Sequence, residues 1–159
     1  MPLTSVLDLR SPQATRKLGQ KLGRALEAGD FVALYGDLGA GKTLLVRGVA
    51  EGAGVPDTER TGSPTFALVN LYRGGRVALQ HLDLYRLAGP ADLFALGFDD
   101  LLREPAATLV EWADRAGDAL PADRLDLRFT TTGPKARRVE VIAAGPRGER
   151  LGAILLAPQ

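Results

Sequence analysis

Eight residues in the first third of the chain, GDLGAGKT at 36–43, carry the clearest chemistry. They fit the pattern G-x-x-x-x-G-K-[ST], in which glycines allow successive backbone N–H groups to surround phosphate oxygens. A helix that begins after this glycine loop would direct the positive end of its dipole to the same place. Lys42 would supply a cation for the outer phosphates, and the Thr43 hydroxyl can ligate Mg²⁺. The pattern predicts a polyphosphate site, the alternative being an ordinary glycine-rich turn between strand and helix.

Two acidic residues at the ends of predicted strands are candidates for holding the metal and the attacking water. Asp83 follows the alternating stretch 77–82, and Glu111 follows the apolar stretch 108–110. Ligands of doubly wound sheets lie at the carboxyl ends of the strands, so both carboxylates are expected to face the phosphates. One would hold Mg²⁺, and the other would join the metal shell or orient a water. The alternatives are a turn cap for Asp83 and an ion pair with Arg115 for Glu111.

A hydroxyl-bearing loop, GSPTFALV at 62–69, precedes the next predicted strand. Ser63 and Thr65 flank a proline, and small hydroxyls on such a loop can close over a γ-phosphate. A hydroxyl-capped turn with its angles set by Pro64 explains the same residues equally well. The sequence therefore leaves open whether this loop takes part in the site.

Other polar and aromatic residues are interpreted as structural more readily than as functional. His81 is the single histidine, and a structural role for it is favoured over that of a general base. Trp112 and Tyr85 are expected to pack, although Trp112 beside Glu111 could shield the site. Basic residues near the C-terminus form the solvent-exposed face of a strand more often than an RNA contact. They are Lys135, Arg137, Arg138, Arg147 and Arg150.

The elements that must position these residues alternate between strand and helix patterns. SVLDL (5–9) predicts a strand, and Ser11 with Pro12 predicts the start of a helix that Gly29 closes. FVALY (31–35) predicts a strand buried on both faces, followed by a helix over 44–53. Gly74-Gly75 predicts a hairpin within 66–85, before a helix over 90–102 and a strand over 107–112. Three more strands are predicted in LDLRFTTT (125–132), RRVEVIAA (137–144) and LGAILLA (151–157).

Composition limits the class of protein. The chain has 159 residues, of which 45% are apolar and 25% charged, as expected for one globular α/β domain spanning 1–159. The net charge of +1 predicts no general affinity for nucleic acid or acidic membranes. Cysteine is absent, which excludes disulfides and thiolate metal sites. Neither a signal peptide nor a membrane span is predicted, so a cytoplasmic location is expected.

Four short motifs, in order and spacing, resemble one family. GDLGAGKT, SPTF, HLDLYR and LVEW are similar to the corresponding motifs of the TsaE (YjeE) ATPases of bacterial tRNA threonylcarbamoyladenosine biosynthesis. The resemblance runs from the N-terminal helix to about Pro121. It implies a single-domain P-loop NTPase fold with a mixed, mainly parallel central sheet flanked by helices. It also implies slow ATP hydrolysis that drives or resets the TsaB–TsaD complex, in which TsaD modifies adenosine 37 of tRNAs reading codons that start with A. Contact with tRNA would come through that complex.

The resemblance also implies roles for individual residues. ATP phosphates would be bound by the glycine loop, with Lys42 also taking part in catalysis. Thr43 and Glu111 would ligate Mg²⁺, and Asp83 would fill the acidic strand-end role as a catalytic and metal-binding residue. Ser63 and Thr65 would belong to a switch-like loop, and Ser11 or Pro12 would lie near the adenine, although no motif fixes this position. The nucleotide-binding residues implied in the loop are Gly36, Gly39, Ala40, Gly41, Lys42, Thr43 and Leu44, the last at a position where a second threonine is frequent.

Three other functional classes are alternatives to this one. A GTPase is disfavoured because none of the four lysines sits in an [NT]-K-x-D guanine-reading motif. A small-molecule kinase could use the same loop, metal and acids for phosphoryl transfer to an alcohol. Its lid arginine could be Arg86 or Arg103, although no lid-like insertion stands out. A nucleotide-gated binding module without turnover is the third alternative.

Overall fold

The computed structural model describes residues 3–37, 39–56 and 69–158 of the chain. These residues form an α/β fold around a seven-stranded mixed sheet with the strand order β1-β7-β6-β2-β5-β4-β3. Within them, no helix is both long and apolar enough to cross a membrane. The strands are β1 (Leu3–Leu9), β2 (Phe31–Tyr35), β3 (Val69–Tyr72), β4 (Ala78–Asp83), β5 (Ala106–Glu111), β6 (Arg124–Thr131) and β7 (Arg137–Ala144). The helices are α1 (Pro12–Ala25), α2 (Lys42–Gly52), α3 (Pro90–Ala95), α4 (Phe98–Leu102) and α5 (Gly145–Leu156), and a 3-10 segment spans Ala113–Ala119.

The four central strands, β6, β2, β5 and β4, are parallel to one another. Strands β2 and β5 are the most deeply buried because both of their faces are covered. This matches their sequences, which are almost continuous apolar runs and not alternating ones. The carboxyl ends of β2, β4 and β5 meet at one edge of the sheet, where Tyr35, Asp83 and Glu111 end their strands. This edge positions the candidate site.

Antiparallel strands flank this parallel centre on both sides. β7 pairs antiparallel with β6 and with β1, and β3 pairs antiparallel with β4. The hairpin predicted at Gly74-Gly75 is confirmed, with β3 and β4 on either side of a short turn. Residues 66–68 of the predicted first strand lie outside the described residues. The mixed sheet expected from the resemblance is therefore observed.

The C-terminal run LGAILLA is part of helix α5 and not the predicted strand. The prediction was wrong because it treated the apolar residues as a continuous run, whereas the buried positions recur with helical spacing. Those positions are Gly148, Leu151, Gly152 and Leu155. The Gly145-Pro146 pair lies at the start of this helix, where proline is tolerated in the first turn.

Predicted helix bounds also differ from the structure, and the helix predicted over 44–53 spans Lys42–Gly52. Helix α1 begins as predicted, with the Ser11 hydroxyl accepting a hydrogen bond from the Ala14 N–H at 3.1 Å, but it ends at Ala25. Gly29 lies in the following turn. The helix predicted over 90–102 is two short helices, because Gly97 adopts the left-handed conformation with φ 83° between them.

Helices α1 and α2 touch through their backbones. A Cβ at Gly19 would lie 2.2 Å from the Leu45 carbonyl oxygen, and a Cβ at Gly48 would lie 2.2 Å from the Arg16 carbonyl oxygen. No side chain larger than hydrogen fits at either position without moving a helix. Because α2 begins at Lys42, this contact connects α1 directly to the element that carries the candidate site.

Candidate functional site

The glycine loop places Lys42 at the first residue of α2. Gly41 precedes the helix with φ 106°, a conformation that side-chain-bearing residues rarely adopt. The Lys42 side chain turns back over the loop, where its ammonium donates a hydrogen bond to the Gly36 carbonyl. The Trp112 ring covers the same ammonium, with 4.0 Å between Nζ and the ring centroid. Lys42 is thus only 4% exposed and is held by a carbonyl and a ring.

The two predicted carboxylates lie side by side. β4 and β5 are parallel neighbours, and their register pairs Asp83 with Glu111 at the end of both strands. Asp83 is half-buried, and its Oδ1 accepts a hydrogen bond from the Tyr85 N–H at 3.0 Å. The turn-cap alternative is therefore also observed, and it uses one carboxylate oxygen. Glu111 is buried and forms no ion pair with Arg115 within the described part of the chain.

Glu111 is instead bound by the single histidine. The distance from His81 Nε2 to Glu111 Oε2 is 2.6 Å, and the distance from His81 Nδ1 to the Tyr72 hydroxyl is 2.9 Å. His81 is 1% exposed. If His81 is neutral, Nε2–H donates to the carboxylate and Nδ1 accepts from the tyrosine. The structural role favoured for His81 is therefore observed, and its partner is a candidate site residue.

Burial opposes the charges of both Lys42 and Asp83. It lowers the pKa of the Lys42 ammonium, while the nearby Glu111 and Asp83 carboxylates act in the opposite direction. Burial likewise raises the pKa of the Asp83 carboxyl; the Tyr85 N–H opposes this rise, and Glu111 adds to it. Such perturbed groups in a cleft are typical of binding and catalytic sites.

A cavity of about 430 Å³ brings these residues together. Its wall contains Lys42, Thr43, Asp83 and Glu111, with Trp112 beside them. The volume is within the range of small-molecule sites. One hydroxyl and two carboxylates provide the oxygen ligands that Mg²⁺ takes when phosphates and waters complete its shell. Within the described residues, no cluster of three or more His, Cys, Asp or Glu side chains is suited to a metal. The Thr43 hydroxyl and the Asp83 and Glu111 carboxylates are of the chemical type that could hold Mg²⁺ together with a phosphate ligand.

The cavity contains some predicted site residues and not others. Gly39, Gly41 and Leu44 line it, and the Gly36 carbonyl contacts Lys42. Ser11 caps α1 and is not among the lining residues, so its predicted place near the adenine stays a prediction. Ser63 and Thr65 lie outside the described residues. Of the described residues, neither Arg86 nor Arg103 lines the cavity, so neither proposed lid arginine contributes to it.

Two arginines near the loop were missed as site residues by sequence reasoning. Arg47 lines the cavity one helical turn after Thr43, a spacing that the helix prediction could have revealed. Arg137, interpreted above as part of a solvent-exposed face, contacts the glycine loop from β7. No local signal identifies Arg137, because 97 residues separate it from Ala40, whose carbonyl it binds.

Fold and site together define an α/β protein with a phosphate-loop sequence motif at the carboxyl ends of its central parallel strands. The family model described as threonylcarbamoyl adenosine biosynthesis protein TsaE matches residues 9–139. The chain therefore belongs to the TsaE family, as its motifs predicted.

Individual relatives agree with this assignment. The tRNA threonylcarbamoyladenosine biosynthesis protein TsaE of Bacillus subtilis (strain 168) is 35% identical over 141 residues, which cover 89% of this chain and 87% of the relative. The protein of the same name from Treponema pallidum (strain Nichols) is 42% identical over 112 residues, or 70% of this chain and 81% of the relative. The crystal structure of Bacillus subtilus YdiB superposes with a TM-score of 0.82 at 30% identity, covering 98% of this chain and 95% of that chain.

Proposed function

We propose that this chain binds ATP with Mg²⁺ at the glycine loop and hydrolyses it in the biosynthesis of tRNA threonylcarbamoyladenosine. The observation that supports ATP chemistry is the convergence of Lys42, Thr43, Asp83 and Glu111 on one cavity beside the loop. The buried ammonium has no carboxylate partner in an ion pair among the described residues, so a polyphosphate would supply the missing negative charge. Membership of the TsaE family supports the biosynthetic role.

Each side chain has a distinct part in this proposal. Lys42 would leave the Gly36 carbonyl and donate to the outer phosphates, and the loop amides would bind the inner ones. Thr43 and Glu111 would hold Mg²⁺, which neutralises charge developing on the transferred phosphoryl oxygens when it is bound. Asp83 lies next to Glu111 and would share the metal shell or orient the attacking water. His81 would keep Glu111 in one orientation through the 2.6 Å hydrogen bond.

The partners follow from the family and not from the cavity. Relatives are named for threonylcarbamoyladenosine biosynthesis, and the resemblance implies that ATP hydrolysis drives or resets the TsaB and TsaD proteins. The net charge of +1 favours contact with tRNA through that complex over independent RNA binding. Because hydrolysis would be coupled to TsaB and TsaD, turnover is expected to be slow for the isolated chain and faster in the presence of both partners.

A turnover assay with Glu111→Gln tests the chemistry. This change keeps the size of the side chain and removes the charge, so ATP binding should persist while hydrolysis falls about 100-fold or more. Glu104→Gln is the matched control, because this exposed acid lies outside the cavity. Wild-type turnover in the Glu111→Gln protein would remove Glu111 from the reaction.

Reconstitution of tRNA modification with TsaB and TsaD tests the biological role. Repeated modification cycles should need this chain and ATP, and a non-hydrolysable analogue should not support them. A small-molecule kinase would consume ATP only with its acceptor alcohol and would not respond to the protein partners. A binding module without turnover would support the cycles equally well with the analogue.

A further inference from the structure

Arg137 connects the glycine loop to the hairpin formed by β6 and β7. Its Nε donates to the Ala40 carbonyl at 3.0 Å, and one terminal nitrogen donates to the Gly39 carbonyl at 3.1 Å. The other terminal nitrogen donates to the carbonyls of Gly133 and Ala136 at 3.1 and 2.8 Å, at the turn of the hairpin. One guanidinium thus binds four backbone carbonyls on two segments of the chain.

These contacts fix two consecutive peptide planes of the loop. In a trans peptide, the carbonyl of one residue and the N–H of the next point in opposite directions. Holding the Ala40 carbonyl on the Arg137 side therefore turns the Gly41 N–H away from Arg137. Holding the Gly39 carbonyl fixes the Ala40 N–H, which donates to the Asp37 carbonyl at 3.1 Å and closes the loop. Gly39 and Gly41 line the cavity, so these planes belong to its wall.

We infer that Arg137 is a positioning residue for phosphate binding. From outside the cavity, it orders the glycine loop and polarises two of its peptide groups. This inference rests on the proposed ATP site and adds to it a residue that does not line the cavity. A cation bound to the carbonyl end of a peptide makes its N–H a stronger donor. The planar fork of arginine can reach several carbonyls at once, which the single ammonium of lysine cannot do in the same geometry.

Through Arg137, the hairpin turn over 132–136 also helps to hold the glycine loop in place. The Arg137 side chain is half-buried between this turn and the loop. A displacement of the turn would pull the guanidinium from Gly39 and Ala40, and the loop would lose its order. A ligand or partner bound to the turn would therefore change the affinity of the phosphate site. Arg137, next to the turn, is 97 residues from Ala40 in the sequence.

The test compares Arg137→Met with Arg138→Met. Arg138 is the next residue of β7, has the same charge and pairs with Asp8 at 3.0 Å on the exposed side. Arg137→Met should weaken ATP binding about tenfold, corresponding to the loss of about one charged hydrogen bond. Arg138→Met should leave ATP affinity unchanged, because an exposed ion pair contributes little. Arg137→Lys, which keeps the charge, should show most of the loss and covers the case in which the Met variant does not fold.

Two further measurements separate loop ordering from a general loss of stability. Amide hydrogen exchange without nucleotide should accelerate over residues 36–45 in Arg137→Met and stay unchanged over β5. Methylguanidinium should restore part of the ATP affinity of Arg137→Ala, whereas a merely destabilised protein would not recover. Equal ATP affinities in the Arg137 and Arg138 variants, or unchanged exchange of the loop, would overturn the inference. If the wild-type chain fails to bind ATP, the proposed function fails, and the exchange comparison alone decides the role of Arg137.

Discussion

Two buried charge clusters lie at opposite ends of the parallel strands, and their pairing differs. At the carboxyl ends, the Lys42 ammonium is held by a neutral carbonyl and an aromatic ring. At the other end, Asp30 precedes β2 with its side chain fully buried. Its Oδ1 accepts from Arg147 at 3.0 Å, and its Oδ2 accepts from Arg150 and from the Glu27 N–H, the latter at 2.7 Å.

The difference shows how to distinguish a structural charge from a binding one. The chain itself provides two cations and a backbone donor for Asp30, so this carboxylate needs no ligand. Burial lowers the pKa of the Lys42 ammonium, and the nearby carboxylates oppose this shift only in part. The Asp30 cluster is therefore expected to stabilise the fold, and the Lys42 ammonium to bind a ligand of opposite charge.

Asp30→Ala should have the largest effect. Removing this acceptor should lower the free energy of unfolding by about 3 kcal/mol, because the hydrogen bonds from Arg147, Arg150 and the Glu27 N–H to a buried carboxylate are lost. ATP affinity should stay within about twofold, since Asp30 lies at the opposite end of the strands. Denaturant unfolding and an ATP titration measure both quantities, with Asp30→Asn as a milder control that keeps one acceptor oxygen. A large loss of ATP affinity with little loss of stability would reverse the assignment of the two clusters.

Lys42→Met should show the opposite pattern. We expect ATP affinity to fall about 100-fold, because the cation that faces the outer phosphates is lost. The free energy of unfolding should not fall, since the change removes a charge that burial disfavours. Lys17→Met, at an exposed position of α1, controls for the change in net charge. Unchanged ATP affinity in the Lys42 variant would contradict the site.

His81→Leu should affect both properties, because this residue joins the fold to the site. The Glu111 carboxylate would stay buried without its donor, at a cost of about 2 kcal/mol in the free energy of unfolding. Turnover should fall about tenfold as Glu111 loses its fixed orientation. Tyr72→Phe removes the hydrogen bond between the tyrosine hydroxyl and His81 Nδ1 and should produce smaller changes in the same direction. Unchanged turnover in His81→Leu would limit the histidine to packing.

Asp83→Asn should produce the smallest change in stability, and that change should depend on pH. Because burial raises the pKa of this carboxyl, the folded protein binds the proton more tightly than the unfolded chain does. Ionised Asp83 therefore lowers stability above the folded-state pKa, and this cost disappears below the ordinary value of 3.8. The Asp83→Asn variant should therefore unfold at a midpoint about 1 °C higher than the wild type at pH 7, a small shift because solvent screens this half-exposed group. Near pH 3 the two midpoints should be the same. A midpoint that falls at pH 7 would give the carboxylate a stabilising role.

Local patterns predicted most of the fold and the centre of the site. The apolar run 31–35, the Ser11 cap and the glycine loop each carry their signal within a few residues, so they could be identified directly. Asp83 and Glu111 were found because the ends of parallel strands meet at one edge. Helix α5 was missed because its apolar residues are dense enough to satisfy both a strand and a helix pattern.

The remaining parts of the site depend on contacts between distant segments. His81 and Glu111 are 30 residues apart, and Arg147 and Asp30 are 117 apart. Neither pair has a spacing that one sequence could reveal, because the sheet order and not the chain order makes them neighbours. The partners of buried polar groups were therefore the least predictable feature of the sequence.

The backbone contact between α1 and α2 lies outside the cavity, yet a substitution there would be expected to displace the residues of the candidate site. An alanine at Gly19 or Gly48 would act as a wedge, since each new methyl would meet a carbonyl oxygen at 2.2 Å. Ordinary van der Waals separation would require the helices to part by about 1 Å or more. Because α2 begins at Lys42, a displacement of α2 away from α1 would move the ammonium relative to the Asp83 and Glu111 carboxylates. A side chain at any glycine of this crossing is therefore expected to change the geometry of the candidate site; these glycines are Gly19, Gly23, Gly48 and Gly52.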